Sequence, residues 1–137
     1  MNVKIINFEI MGDERGSLIA LEQNKNIPFE IKRVYYIFNT KEDVKRGLHA
    51  HKDLQQVLIA LSGSCKILLD DGREFVEFEL NSPDKGLFID KLIWREIYNF
   101  SEDCVLLVLA NEYYKEEDYI RNYQEFKNYI YRVKKSI

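Results

Sequence analysis

Both histidines of the chain fall in one tripeptide, His49-Ala50-His51, with Lys45-Arg46-Gly47 before it and Lys52 after it. On an extended segment, residues two apart point to the same side, so the two imidazoles stand side by side with Arg46 and Lys52 close by. Imidazoles exchange protons near neutral pH and cations hold anions, which makes the cluster suited to proton transfer on an anionic molecule. The preceding run, Ile31-Lys32-Arg33-Val34-Tyr35-Tyr36-Ile37-Phe38, adds to it. Strand alternation puts Arg33 and Tyr35 on one face and Tyr36 and Phe38 on the other. If the first face lines an interior, a guanidinium and a phenol project into the cavity that the histidines face.

The chain that must position these groups has 137 residues, with 20 Lys+Arg against 23 Asp+Glu, two His and two Cys. That length supports one sizeable core and leaves no room for a second substrate domain. Two His and two Cys cannot supply a three-histidine or Cys-rich metal centre within one chain. A formal net charge of −3 lacks the positive field of a nucleic-acid binder. No run approaches the ~20 apolar residues that cross a bilayer. The N-terminus lacks the features of a signal peptide. Cys65 and Cys104 lie in apolar strand-like runs and read as reduced core thiols, so a cytoplasmic protein is expected.

Short apolar or alternating runs cover Val3 to Phe8, Ser17 to Glu22, Ile31 to Phe38, Gln56 to Leu61, Cys65 to Leu69, Glu74 to Leu80, Gly86 to Ile89, Ile93 to Asn99 and Cys104 to Ala110. Turn signals separate them, the clearest being Asp70-Asp71-Gly72, where Asp-Gly supplies the positive φ a hairpin needs. This spacing predicts a mainly β antiparallel barrel or sandwich over about residues 1–112 of a single domain. From Glu116 the period changes. Tyr119, Tyr123, Phe126, Ile130, Val133 and Ile137 recur at gaps of four and three, predicting a helix over about 116–136 that covers the β core.

Arg46-Gly47-Leu48-His49-Ala50-His51, followed by Gln56 and Gly63, resembles the first motif of the cupins, with Gln56 standing where a carboxylate ligand is usual. The stretch corresponding to the second motif, Gly86 through Trp94-Arg95-Glu96, contains no histidine. The resemblance implies a cupin, or jelly-roll, barrel without metal or other cofactor, in which the histidines serve as acid and base. More specifically the chain resembles the dTDP-4-oxo-6-deoxyglucose 3,4-ketoisomerases, small homodimeric cupins of deoxyaminosugar biosynthesis. The likeness rests on Asp13-Glu14-Arg15-Gly16-Ser17-Leu18, Ile27-Pro28-Phe29, the Ile31 to Ile37 run, Arg46 to Lys52, Gln56 to Ile59, Gly63-Ser64, Trp94-Arg95-Glu96, Cys104 to Ala110, Glu112-Tyr113-Tyr114 and Asp118-Tyr119-Ile120-Arg121.

That resemblance implies an isomerase acting on a dTDP-linked 4-keto-6-deoxyhexose through an enediol, on the way to 3-amino-3,6-dideoxyhexoses of the Fuc3N or Qui3N type. It assigns His51 as principal base, His49 as second proton carrier and Tyr35 as hydrogen-bonding partner or proton shuttle. Arg15, Arg33, Arg46, Lys52 and Arg95 become the substrate- and nucleotide-binding set, since guanidiniums suit a diphosphate. Positions 15 and 95 are those associated in the family with the C4 configuration of the product, and arginine at both mixes two patterns. A dimer is implied, with Val3 to Phe8 able to add to a neighbour's sheet. Other readings are a sugar 3,5-epimerase of the same superfamily, a metal-dependent cupin oxygenase and a non-catalytic dTDP-sugar-binding module.

Overall fold

A computed structural model describes residues 1–135. The strands are β1 (Val3–Asn7), β2 (Met11–Asp13), β3 (Gly16–Leu18), β4 (Arg33–Phe38), β5 (Arg46–His51), β6 (Gln56–Ser62), β7 (Cys65–Asp70), β8 (Phe75–Leu80), β9 (Lys85–Ile89), β10 (Trp94–Tyr98), β11 (Val105–Ala110) and β12 (Tyr119–Ile120), followed by the helix α1 (Tyr123–Lys135). Two five-stranded antiparallel sheets, ordered β1-β9-β6-β11-β4 and β12-β5-β10-β7-β8, face each other, with β2 and β3 as a separate hairpin. The expected mainly β fold with a C-terminal helix is what forms.

Sequence pattern explains which faces meet. Strand β7 alternates Cys65, Ile67 and Leu69 inward with half-buried residues outward, and the inner faces of both sheets share one core with Leu58, Leu87, Leu106 and Val108. The run Val57-Leu58-Ile59-Ala60 in β6 is buried throughout because both its faces are covered. Leu58 and Ala60 look into the core, while Val57 and Ile59 are capped by Phe8, Ile27 and Phe29 of the long N-terminal segment. The β7–β8 hairpin turns at Asp71-Gly72, where Gly72 has φ +92° and its N–H is accepted by Asp70 Oδ1 at 2.7 Å.

The structure departs from expectation in the C-terminal segment. The helix begins at Tyr123, not near 116, because Glu116–Asp118 form a 3-10 turn and Tyr119–Ile120 pair as β12 with His51 and Ala50 of β5. Asn122 then starts α1, its Oδ1 accepting the Glu125 N–H at 3.0 Å. Of the expected apolar stripe, Phe126 and Ile130 are buried on α1, and Ile137 lies outside the described residues. Strand β1 pairs antiparallel with β9 of its own chain, from Val3 opposite Ile89 to Asn7 opposite Lys85, and forms one edge of that sheet.

Helix α1 packs Phe126 and Ile130 against Ala50, Trp94 and Ile120, the backs of the three strands β5, β10 and β12. Phe126 is fully buried. Replacing it with Ala is expected to cost about 3–5 kcal/mol of unfolding free energy in urea titrations, from lost apolar contact plus a cavity. Tyr131→Ala, on the exposed side of the same helix, is the control expected to change stability by less than about 0.5 kcal/mol.

Candidate active site

A cavity of about 530 Å³ opens between the two sheets. Arg33, Tyr35 and Ile37 enter it from β4, Gln56 and Leu58 from β6, and Val108 from β11. The opposite wall brings Arg46, Gly47 and His49 from β5 and Arg95 and Ile97 from β10, while Tyr114, Tyr119 and Arg121 come from the segment after β11. Alternation on β4 is regular, so Arg33 and Tyr35 share the inward face as expected.

Strand β5 is not regular. Its register with β10 slips so that Gly47 faces Glu96 and His49 faces Arg95, leaving Leu48 as the extra residue of a β-bulge. Gly47 (φ +81°) and Leu48 (φ +56°) both take the left-handed region there. At Gly47 a Cβ would meet the Arg95 backbone oxygen at 3.1 Å. The bulge lets Arg46 and His49, three residues apart, open on the same cavity. It also supplies the Gly47 carbonyl to His49 Nδ1 at 2.9 Å. A carbonyl only accepts, so Nδ1 carries the proton and Nε2 of His49 keeps its lone pair.

His51 lies beside His49 with ring centroids 4.8 Å apart, but it is fully buried and is not part of the cavity lining. Its Nδ1 is 2.9 Å from Asp118 Oδ2, and the other carboxylate oxygen accepts the Asp53 N–H at 2.8 Å. Nδ1 is therefore the donor, and Nε2 of His51 is buried without a partner. Tyr119 closes over both imidazoles at 4.9 and 4.4 Å. Arg121 lies 4.2 Å over the Tyr119 ring and makes a two-pronged ion pair with Glu116 at 2.8 and 2.9 Å. Glu116 also accepts the Tyr114 hydroxyl.

Arg95 is the buried cation of the site, 2 % exposed. Its Nη1 donates to Gln56 Oε1 at 2.5 Å and its Nη2 to the Ile93 carbonyl at 3.0 Å. Burial and this guanidinium, in that order, lower the His49 pKa to about 4 and push His51 well below the ordinary imidazole range. Both rings are thus neutral bases at pH 7. Burial raises the Tyr35 phenol, which stays protonated. Among the described residues Arg33, Arg46 and Arg95 have no carboxylate partner, while Lys45 is paired with Glu96 and Arg121 with Glu116. The cavity therefore carries spare positive charge for an anion.

A divalent ion does not fit these side chains. Gln56 turns its carbonyl to Arg95, a fixed cation stands beside the imidazoles, and among the described residues no three His, Cys, Asp or Glu gather. Two residues expected in the binding set do not line the cavity. Arg15 lies on the exposed β2–β3 turn, tied to Asp13 at 2.6 Å. Lys52 follows the end of β5 and turns toward α1, 5.6 Å over the Tyr129 ring. Conversely Tyr114, Asp118, Tyr119 and Arg121 were not read as site residues from sequence. Their signal is the alternation of Asp118-Tyr119-Ile120-Arg121, which the helical spacing of the tyrosines masks.

Residues 1–131 match the family described as FdtA: WxcM-like, C-terminal. The chain is 56% identical over 133 residues to the TDP-4-oxo-6-deoxy-alpha-D-glucose-3,4-oxoisomerase of Aneurinibacillus thermoaerophilus, covering 97% of this chain and 96% of that one. Among solved structures it is similar to a 3,4-ketoisomerase from Helicobacter canadensis (56% identity, TM-score 0.94, 96% and 98% of the two chains). It is also similar to a His-to-Asn variant of the 3,4-ketoisomerase QdtA from Thermoanaerobacterium thermosaccharolyticum, solved with TDP-4-keto-6-deoxyglucose (50%, TM-score 0.93, 96% and 95%). A dTDP-4-dehydrorhamnose 3,5-epimerase from Bacillus anthracis shares the fold at 15% identity and TM-score 0.76 over 86% and 77%.

The depressed imidazoles have a sign that can be checked. Between the folded value of about 4 for His49 and the ordinary value of about 6.5, the unfolded chain binds more protons than the folded one, so this stability is full above the window and is lost as pH falls through it. Nitrogen-15 NMR is expected to find His49 neutral down to about pH 5 with Nδ1 protonated, and the thermal midpoint to fall on acidification through the same window. Titration of His49 near the ordinary value would contradict the burial and Arg95 account.

Proposed function

As a member of the FdtA family of sugar 3,4-ketoisomerases, the chain is one we propose to be the isomerase that moves the carbonyl of TDP-4-keto-6-deoxyglucose from C4 to C3. The observation that carries this reading at the level of chemistry is the neutral imidazole pair, His49 of which lines the cavity, beside a buried guanidinium and a protonated phenol. A base removes the C3 proton, and the electron pair moves into a C3–C4 double bond as O4 takes up charge and a proton. The O3 proton then leaves, the carbonyl forms at C3, and a proton is delivered to C4. No electrons are gained or lost overall.

His49, which lines the cavity and keeps its Nε2 lone pair, is suited to meet the carbon-bound proton. This reverses the division expected from sequence, in which His51 was principal base. His51, buried and bonded to Asp118, is suited to take up or return a proton behind it, the carboxylate stabilising the imidazolium as it forms. Tyr35 serves the substrate oxygens, while Arg33, Arg46 and Arg95 meet the anionic part of the substrate. Arg15 and Lys52 have no part in this arrangement within one chain. The C4 configuration of the product follows from which face receives the last proton.

The protein acts as a homodimer in this reading. Val34, Tyr36 and Phe38 form an exposed apolar row on β4, 55, 61 and 56 % exposed, on the outer face of a sheet whose other half is already covered. A second copy is the occupant that suits an edge strand of this kind. Two free thiols suit a cytoplasmic location.

Incubation with TDP-4-keto-6-deoxyglucose in deuterated water, followed by NMR, is expected to yield a 3-keto product labelled at C4 and unlabelled at C5; label at C5 would favour the 3,5-epimerase reading. His49→Asn and His51→Asn are each expected to lower kcat by at least ~100-fold with TDP affinity retained. A nearly normal rate in either would remove that residue from the mechanism. Phe38→Glu is expected to shift sedimentation from dimer to monomer.

A further inference from the structure

We infer that Gln56 is a positioning residue that fixes the direction of the Tyr35 hydroxyl, so that its proton points into the cavity as a hydrogen-bond donor to a substrate oxygen. The inference rests on the isomerase reading above for the identity of that oxygen.

The direction follows from what each group can do. Arg95 only donates, and its guanidinium is held in place by the Ile93 carbonyl at 3.0 Å and by Gln56 Oε1 at 2.5 Å. That pins the amide oxygen of Gln56 toward Arg95. Its nitrogen must then face the other way, where it lies 3.2 Å from the Tyr35 hydroxyl. An amide N–H donates, so the hydroxyl oxygen accepts and its single proton is left for another partner. Among the described residues no acceptor takes it, and Tyr35 lines the cavity. Arg33, 5.2 Å over the Tyr35 ring, is itself only a donor.

Burial keeps the phenol protonated. Arg95, Gln56 and Tyr35 thus form a chain in which every hydrogen bond runs one way, from the buried cation toward the substrate space. Such a donor is spent where charge grows on O3 or O4 of the enediol, not on the ground-state sugar. It also gives a reason for an amide at this position. A carboxylate would accept from both sides, take the phenol proton for itself and leave nothing aimed at the substrate.

Gln56→Glu tests direction without changing volume. Expected are a ~100-fold fall in kcat, a KM and a TDP affinity within about twofold of wild type, and a melting temperature at or above wild type because the carboxylate pairs with Arg95. Gln56→Met, which neither donates nor accepts in this way, is expected to melt below wild type yet turn over faster than Gln56→Glu. A packing role would make activity and stability fall together, so that pattern overturns the inference. Gln56→Glu should add little to Tyr35→Phe; multiplying effects would also overturn it. The Tyr35 phenol ionisation, read by carbon-13 NMR, should rise in Gln56→Glu. That readout needs no turnover: an unchanged ionisation overturns the inference, whereas a wild-type protein inactive on TDP-4-keto-6-deoxyglucose counts against the isomerase reading alone.

Discussion

A guanidinium buried between two β-sheets, with no ion pair among the described residues, is the constraint around which this site is built. Taking a charge out of water is costly, and Arg95 has hydrogen bonds to two neutral oxygens, one from Gln56 and one from the Ile93 backbone, while the Asp118 carboxylate acts on it from a distance. The consequences spread to its neighbours. Burial first and then this cation keep the imidazoles of His49 and His51 neutral, the amide of Gln56 has one allowed orientation, and the cavity keeps a standing appetite for negative charge. Charge that grows on a substrate oxygen here meets a field already in place, with little reorganisation left to do.

The segment after β11 completes what the sheets begin. It leaves the barrel, makes one 3-10 turn, pairs two residues with the end of β5 and then enters α1. In those few residues it delivers Asp118 to His51, Tyr119 to both imidazoles and Arg121 to the cavity wall. Helix α1 holds this closure from behind by packing Phe126 against Trp94, Ala50 and Ile120. The helix thus contributes to the chemistry without touching the cavity.

Much of this was legible in the sequence where the chain obeys simple alternation. Strand β4 is unbulged, so the inward pair Arg33 and Tyr35 could be read directly, and the clustered histidines declared themselves by spacing. The doubly covered β6 also showed as an unbroken apolar run. Long-range pairing was not legible. Asp118 meets His51 across 67 positions, and nothing local to either residue announces it. The tyrosines at 119 and 123 fit a helical stripe by coincidence of spacing, which hid the turn and strand between them. Lys52 does not line the cavity of its own chain because nearness in sequence to His51 says nothing once the strand has ended, and Arg15 does not because it sits on an exposed turn beside Asp13.

The bulge at Leu48 gives β5 two reading frames. Before it the side chain lining the cavity is Arg46; after it, His49, and an uninterrupted strand would have kept the two on opposite faces. An anion-binding group and a base are thereby set an odd number of residues apart on one wall, a spacing that regular pleating forbids. Removing that single leucine would barely alter the hydropathy of the chain. It would nonetheless turn half the strand over, sending either the Arg46 guanidinium or the His49 imidazole out of the cavity, so the length of this segment is as much a part of the active site as its residues.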